Sequence, residues 1–113
     1  MDESILDTIK KMLGLDSGYE AFDTDVIVHI NTAFFVLNQL GVGPHGGYHI
    51  VGSGNRWSEF LEGRRDLHAV KTYIYLKVRS LFDPPDTSHA REAFIKQSQE
   101  FEWRLLAQET AIS

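Results

Sequence analysis

Residues 67–82 read LHAVKTYIYLKVRSLF, and this stretch is apolar on two sides at helical spacing. One stripe consists of larger aliphatic side chains, at Leu67, Val70, Ile74, Val78 and Leu81. A second, opposite stripe consists of small, aromatic and aliphatic side chains, at Ala69, Tyr73, Leu76 and Ser80. A helix that is apolar on two sides usually packs against more than one element. We therefore predict a central helix that Asp66 caps and Asp83-Pro84-Pro85-Asp86 ends.

Helical patterns flank this central segment on both sides. The further predicted helices span residues 2–13, 23–40, 57–61 and about 88–108. Asp23-Thr24-Asp25 provides N-cap chemistry for the helix over 23–40, and Thr87 or Ser88 provides it for the last helix. The predicted inner face of the last helix comprises Phe94, Ser98, Phe101 and Leu105. The sequence thus predicts an all-α fold, a small bundle of four to five helices in a single domain over residues 1–113.

Residues 41–56 differ from the helices because they contain six glycines. Within this segment, Tyr48-His49-Ile50-Val51 has strand-like propensity and is bounded by glycines. We predict a glycine-rich loop or a short β-hairpin, inserted after the helix over 23–40. The candidate mobile residues are Gly43, Gly46, Gly47, Tyr48, Ile50, Gly52 and Gly54.

The composition is that of one small globular domain. The chain has 113 residues, of which 42% are hydrophobic and 24% are charged. It contains no cysteine, which excludes disulfides, thiolate zinc sites and cysteine nucleophiles. No apolar run approaches the roughly 18 residues that a membrane helix needs, so we expect no membrane association. The acidic start Met1-Asp2-Glu3-Ser4 is unlike a secretory leader, so we expect a cytosolic protein.

The net charge of −5 is distributed unevenly along the chain. Residues 1–62 carry nine acidic and three basic residues, whereas residues 63–113 carry seven acidic and eight basic ones. An acidic chain is a poor nucleic-acid binder, because that affinity comes mainly from phosphate neutralisation. A molecule that is acidic at one end can stack head to tail, although the asymmetry is equally compatible with an ordinary solvated surface.

Motifs that would indicate catalysis or a cofactor are absent. The glycines lack the phosphate-binding patterns, and no Gly-x-Ser-x-Gly occurs. His45 and His49 are four residues apart, but no third metal ligand is evident near them. No predicted helix carries the basic stripe that a DNA-reading helix needs. We expect no catalytic residue, no metal and no cofactor, and therefore not an enzyme.

Apolar side chains that are left outside the predicted core are candidates for an interface. They are Val28, Phe35, Tyr73, Leu76, Ile95, Trp103 and Leu106. Trp103 is the strongest candidate because it lies opposite Phe94 on its helix and because aromatic residues are enriched in interface centres. The alternative is that Trp103 packs within the chain, against the glycine-rich loop.

The order and spacing of these segments are similar to those of a known family. The segments that carry the similarity are residues 5–14 (ILDTIKKMLG), 22–31 (FDTDVIVHIN), 37–44 (LNQLGVGP), 57–61 (WSEFL), 69–85 (AVKTYIYLKVRSLFDPP) and 101–105 (FEWRL). With these segments, the chain resembles the small helical head–tail connector proteins of tailed bacteriophages and prophages, which are also called head-completion or adaptor proteins.

The resemblance implies a structural protein of the virion neck, assembled in the host bacterial cytoplasm. It implies a ring, usually twelve-fold, that binds the portal protein and neighbouring neck or tail-completion proteins. DNA passes through such a ring without sequence-specific binding. It further implies an interface with the portal or a neighbouring subunit at Phe101, Trp103, Leu105 and Leu106, with Val28 and Phe35 as further candidates. The alternative is a small DNA-associated helical protein, a regulator or packaging factor, whose duplex binding weakens with salt.

Overall fold

The computed structural model describes residues 3–64 and 69–112, with side chains to Gln108. Five α-helices and no strand are found in these ranges, which confirms the predicted all-α class. The helices are α1 (Ile5–Met12), α2 (Asp23–Gln39), α3 (Trp57–Leu61), α4 (Ala69–Phe82) and α5 (Ser88–Ile112). The predicted cap Asp66 and the stripe residue Leu67 lie outside the described residues.

Side-chain caps determine where α1 and α5 begin. Ser4 precedes α1 and its Oγ accepts a hydrogen bond from the Asp7 backbone N–H at 3.2 Å. Helix α1 therefore begins at Ile5, three residues later than predicted. Thr87 Oγ1 accepts from the Ala90 N–H at 3.1 Å, which confirms Thr87 as the cap of the last helix. Helix α5 continues to Ile112, beyond its predicted end.

Helix α4 is the central element, as its two apolar stripes predict. It packs against α2, α5 and α1, whereas α2 and α5 hardly contact each other. The residues that it buries come from both stripes: Val70, Tyr73, Ile74, Leu76 and Val78. Tyr73 and Leu76 therefore belong to the interior and are not interface candidates. Leu81 differs from its prediction and is 48% exposed, because it faces a groove between α4 and α5.

A buried ammonium group joins α1 to the start of α2. Lys10 is only 1% exposed, and its Nζ lies 2.7 Å from Asp23 Oδ1. The same Nζ donates hydrogen bonds to the carbonyls of Ser17 at 3.1 Å and Tyr19 at 2.7 Å. The prediction that an acidic side chain caps α2 is wrong for Asp23: Phe22 occupies the N-cap position and makes no side-chain cap bond. The Asp23 carboxylate instead neutralises Lys10, since a buried charge needs a partner.

The N-terminal segment is bonded to the segment that enters α3. The Ile5 N–H donates to the Asn55 carbonyl at 3.0 Å, and the Trp57 N–H donates to the Glu3 carbonyl at 3.2 Å. Trp57 Nε1 also donates to Thr8 Oγ1 at 3.0 Å. Trp57 itself is buried, so this indole hydrogen bond satisfies its polar atom. These bonds hold the start of α3 against the start of α1.

Residues 41–56 form a loop and not the alternative β-hairpin. The one isolated bridge in the described residues joins Ser4 to Arg56, outside the Tyr48–Val51 stretch that has strand propensity. Ile50 instead receives its backbone partners from a helix. Asn31 on α2 donates to the Ile50 carbonyl at 2.9 Å and accepts from the Ile50 N–H at 2.7 Å. The amide side chain of Asn31 thus makes the two backbone hydrogen bonds that a neighbouring strand would make with Ile50.

Two further contacts attach this loop to the core. The Tyr48 ring lies 5.0 Å from the Phe34 ring and 5.8 Å from the Phe60 ring, measured between centroids. Gly43 lies directly against Phe60, with a φ of +97°. Tyr48 is half-buried and Ile50 is buried, whereas Gly46 and Gly54 are exposed. Of the candidate mobile residues, those two exposed glycines have the least packing to restrain them.

We predict that the Lys10 ammonium is a major source of stability. Lys10→Met keeps an apolar stem but leaves two carbonyls and the Asp23 carboxylate without their donor. Because Asp23 can still reach water, we expect the free energy of unfolding to fall by about 2–4 kcal/mol. Lys11→Met, at the exposed neighbouring position, is the control and should change it by less than about 0.5 kcal/mol. Urea unfolding followed by circular dichroism measures both, and equal effects would contradict the prediction.

The contact between Gly43 and Phe60 gives a second stability prediction. A Cβ at position 43 would lie 2.5 Å from Phe60 Cε1, and the positive φ disfavours any L side chain. We expect Gly43→Ala to lower the free energy of unfolding by about 2–4 kcal/mol. Gly46→Ala is the matched control because its Cβ meets nothing within 4 Å. A Gly43→Ala variant as stable as Gly46→Ala would show that Phe60 moves away without cost.

Candidate interaction surfaces

The candidate interface residues on α5 divide between the surface and the interior. Trp103 is 69% exposed and Leu106 is 41% exposed. The alternative that Trp103 packs against the glycine-rich loop is therefore wrong. Leu105 is 1% exposed and belongs to the hydrophobic core, and Phe101 is partly buried against that core. Leu105 is therefore not available for a partner, and Trp103 is the most exposed aromatic residue that the structure describes.

A hydrogen bond between α4 and α5 holds this outer helix in place. The Tyr73 hydroxyl donates to Glu102 Oε2 at 2.8 Å, and Tyr73 is fully buried. Burial raises the pKa of Tyr73 far above its usual range, and the hydrogen bond to Glu102 and its negative charge act in the same direction. The phenol therefore stays protonated and keeps donating at any physiological pH. This bond fixes the side of α5 that carries Glu102, and with it the orientation of Trp103.

The outer face of α2 carries a second exposed apolar surface. Val28 is 55% exposed and Phe35 is 61% exposed, and seven residues place them two helical turns apart on one face. Asp25 lies on the same face, three residues before Val28, and is also exposed. We call Asp25, Val28 and Phe35 the α2 ridge. It lies opposite the buried face of α2, which packs against the core.

A groove of about 310 Å³ lies between α4 and α5. Leu81 and Ile95 line it and are each about half exposed. Lys77, Ser98 and Glu102 also line it. The Ser98 hydroxyl is buried and has no hydrogen-bond partner among the described residues. We call Lys77, Leu81, Ile95 and Ser98 the α4–α5 groove. Its apolar surface is uncovered, and a basic side chain lies beside it.

An exposed aromatic cluster beside the start of α2 and the end of α4 was not predicted from the sequence. The Phe22 ring lies 5.7 Å from the Tyr19 ring and 5.4 Å from the Phe82 ring, measured between centroids. Tyr19 is 50% exposed and Phe22 is 40% exposed. Both precede α2 in an irregular segment, where no helical or strand period marks a residue as facing a particular side. In the sequence, the aromatic character of Tyr19 and Phe22 was the only feature that indicated an interaction.

The histidines that the structure describes do not form a metal site. His45 and His49 are both exposed in the loop. Within the described ranges, no group of three His, Asp or Glu side chains is placed to hold a metal ion. None of the five described helices combines the length and apolar character needed to span a bilayer.

A family model described as phage connector protein matches residues 5–111, which is nearly the whole chain. No curated protein and no solved structure matches.

Proposed function

This chain belongs to the phage connector protein family, and we propose that it is a structural subunit of the neck that joins the head of a tailed phage or prophage to its tail. The match over residues 5–111 carries the proposal, because it includes all five helices except the last residue of α5. In this role the protein acts by binding other proteins. Its exposed apolar side chains are therefore the functional groups.

We propose that the subunits form a ring, with twelve as the expected number, beneath the portal protein. A ring needs two different complementary surfaces on each subunit, since a head-to-tail contact closes by rotation. The α2 ridge and the α4–α5 groove are two such surfaces, and they differ in shape and charge. DNA would pass through the ring without sequence-specific binding. The net charge of −5 supports this, because an acidic subunit does not neutralise phosphates.

We assign the contact with the portal to the outer face of α5. Trp103 supports this assignment because a tryptophan that is 69% exposed has a large apolar area to bury on binding. Tryptophan is also enriched among the few residues that dominate binding energy. Leu106 extends this surface on the same helix. The subunit would assemble in the bacterial cytoplasm and remain in the virion neck.

We predict that Trp103→Ala weakens binding to the portal encoded by the same genome. The substitution removes the largest exposed side chain of α5 without touching the core, so the unfolding midpoint should not change. We expect the dissociation constant to rise at least tenfold, measured by co-sedimentation or calorimetry with the purified portal. Gln97→Ala, at an exposed position on another side of α5, is the matched control and should bind as the wild type does.

Two results would contradict this proposal. If the wild-type chain does not bind the portal, the connector role in the neck is wrong for this pair of proteins. If the wild type binds and Trp103→Ala binds equally well, the portal contact lies elsewhere on the subunit.

A further inference from the structure

We infer that neighbouring copies of this chain meet by inserting the α2 ridge of one copy into the α4–α5 groove of the next. The inference rests on the proposed ring and names the two surfaces that would build it. The occupant of the groove is thus a second copy of this chain.

The ridge and the groove have complementary chemistry. The ridge presents the Asp25 carboxylate one turn before Val28, with Phe35 two turns further along. The groove presents the Lys77 ammonium on α4, one turn before Leu81. Glu102 also lines the groove, but its carboxylate already accepts a hydrogen bond from the buried Tyr73 hydroxyl. Neither Asp25 nor Lys77 has a side-chain hydrogen bond or ion pair with a described residue. Each ionic group therefore lacks a partner among the residues that the structure describes, and lies beside apolar surface that is also uncovered.

Two groups in the groove favour an occupant from another chain. Leu81 and Ile95 are 48% and 49% exposed, and covering them gains hydrophobic free energy.

One copy cannot join its own ridge to its own groove. Helices α2 and α5 both pack against α4 and hardly contact each other, and the ridge is on the side of α2 that faces away from the core. The two surfaces therefore bind only between copies. Because the contact joins two different surfaces, a row of associated subunits has a free ridge at one end and a free groove at the other. Further subunits therefore add until the ring closes.

The charge distribution along the chain agrees with this arrangement. Residues 1–62, which include the ridge, carry six more acidic than basic residues. Residues 63–113, which include the groove, carry one more basic than acidic residue. Opposite charges on two meeting surfaces fix their register and disfavour the wrong pairing of ridge with ridge.

Charge reversal at the two positions tests the inference. Asp25→Lys alone places two basic groups at every contact, and Lys77→Glu alone places two acidic groups there. We expect either variant alone to self-associate at least tenfold more weakly than the wild type, measured by sedimentation. An equal mixture of the two variants should recover association to within about threefold, because acidic and basic groups again meet at contacts between unlike variants.

Recovery in the mixture requires that position 25 of one subunit lies against position 77 of the next. It also shows that both variants are folded. Lys11→Glu is the control, since it changes the net charge as Lys77→Glu does at an exposed position outside both surfaces. It should associate like the wild type.

Several outcomes would overturn the inference. They are a wild-type chain that stays monomeric at about 1 mM, single variants that associate normally, and a mixture that fails to recover. Portal binding is measured separately. A wild-type chain that binds the portal while the two charge-reversed variants still associate normally would leave the connector role intact and reject only the assigned surfaces.

Discussion

Burial of both apolar sides of α4 is the constraint on which the rest of the structure depends. Tyr73 and Leu76 come from one stripe of this helix, and Val70, Ile74 and Val78 come from the other. Covering them requires a helix on each side, and α2 and α5 provide these. Each outer helix then has one face on α4 and another in solvent, and the solvent faces carry the α2 ridge and Trp103. The helix that holds the subunit together thereby also determines which surfaces remain for other proteins.

Periodicity predicted the helices well, because a helix that packs on a core repeats its apolar residues every three to four positions. It could not predict the role of Asp23, whose partner Lys10 is thirteen residues away in the preceding helix. Periodicity also could not distinguish the exposed Trp103 from the buried Leu105. Both were interface candidates, and the fold buries only Leu105. Tyr19 and Phe22 lie outside any periodic segment, so their surface cluster was not foreseen.

The glycine-rich loop shows how a helix can replace a strand as a hydrogen-bonding partner. Tyr48-His49-Ile50-Val51 has the propensity for a strand, but a strand also needs a neighbour for its backbone groups. Asn31 provides both a donor and an acceptor to Ile50, so the segment is held against α2 without pairing to a strand. Sequence propensity marked this segment as distinct from the helices. It could not indicate that the partner would be a side chain nineteen residues earlier.

The hydrogen bonds between the N-terminal segment and the entry to α3 have a consequence for synthesis on the ribosome. Thr8 and Trp57 are separated by 49 positions, so α1 can meet α2 early but cannot complete its packing until the residues up to 57 have left the exit tunnel. At translation rates of about 5–20 residues per second, the nascent chain leaves the apolar face of α1 only partly covered for several seconds. Ile5, Leu6 and Ile9, which are buried in the finished subunit, are thus incompletely shielded from chaperones during that interval.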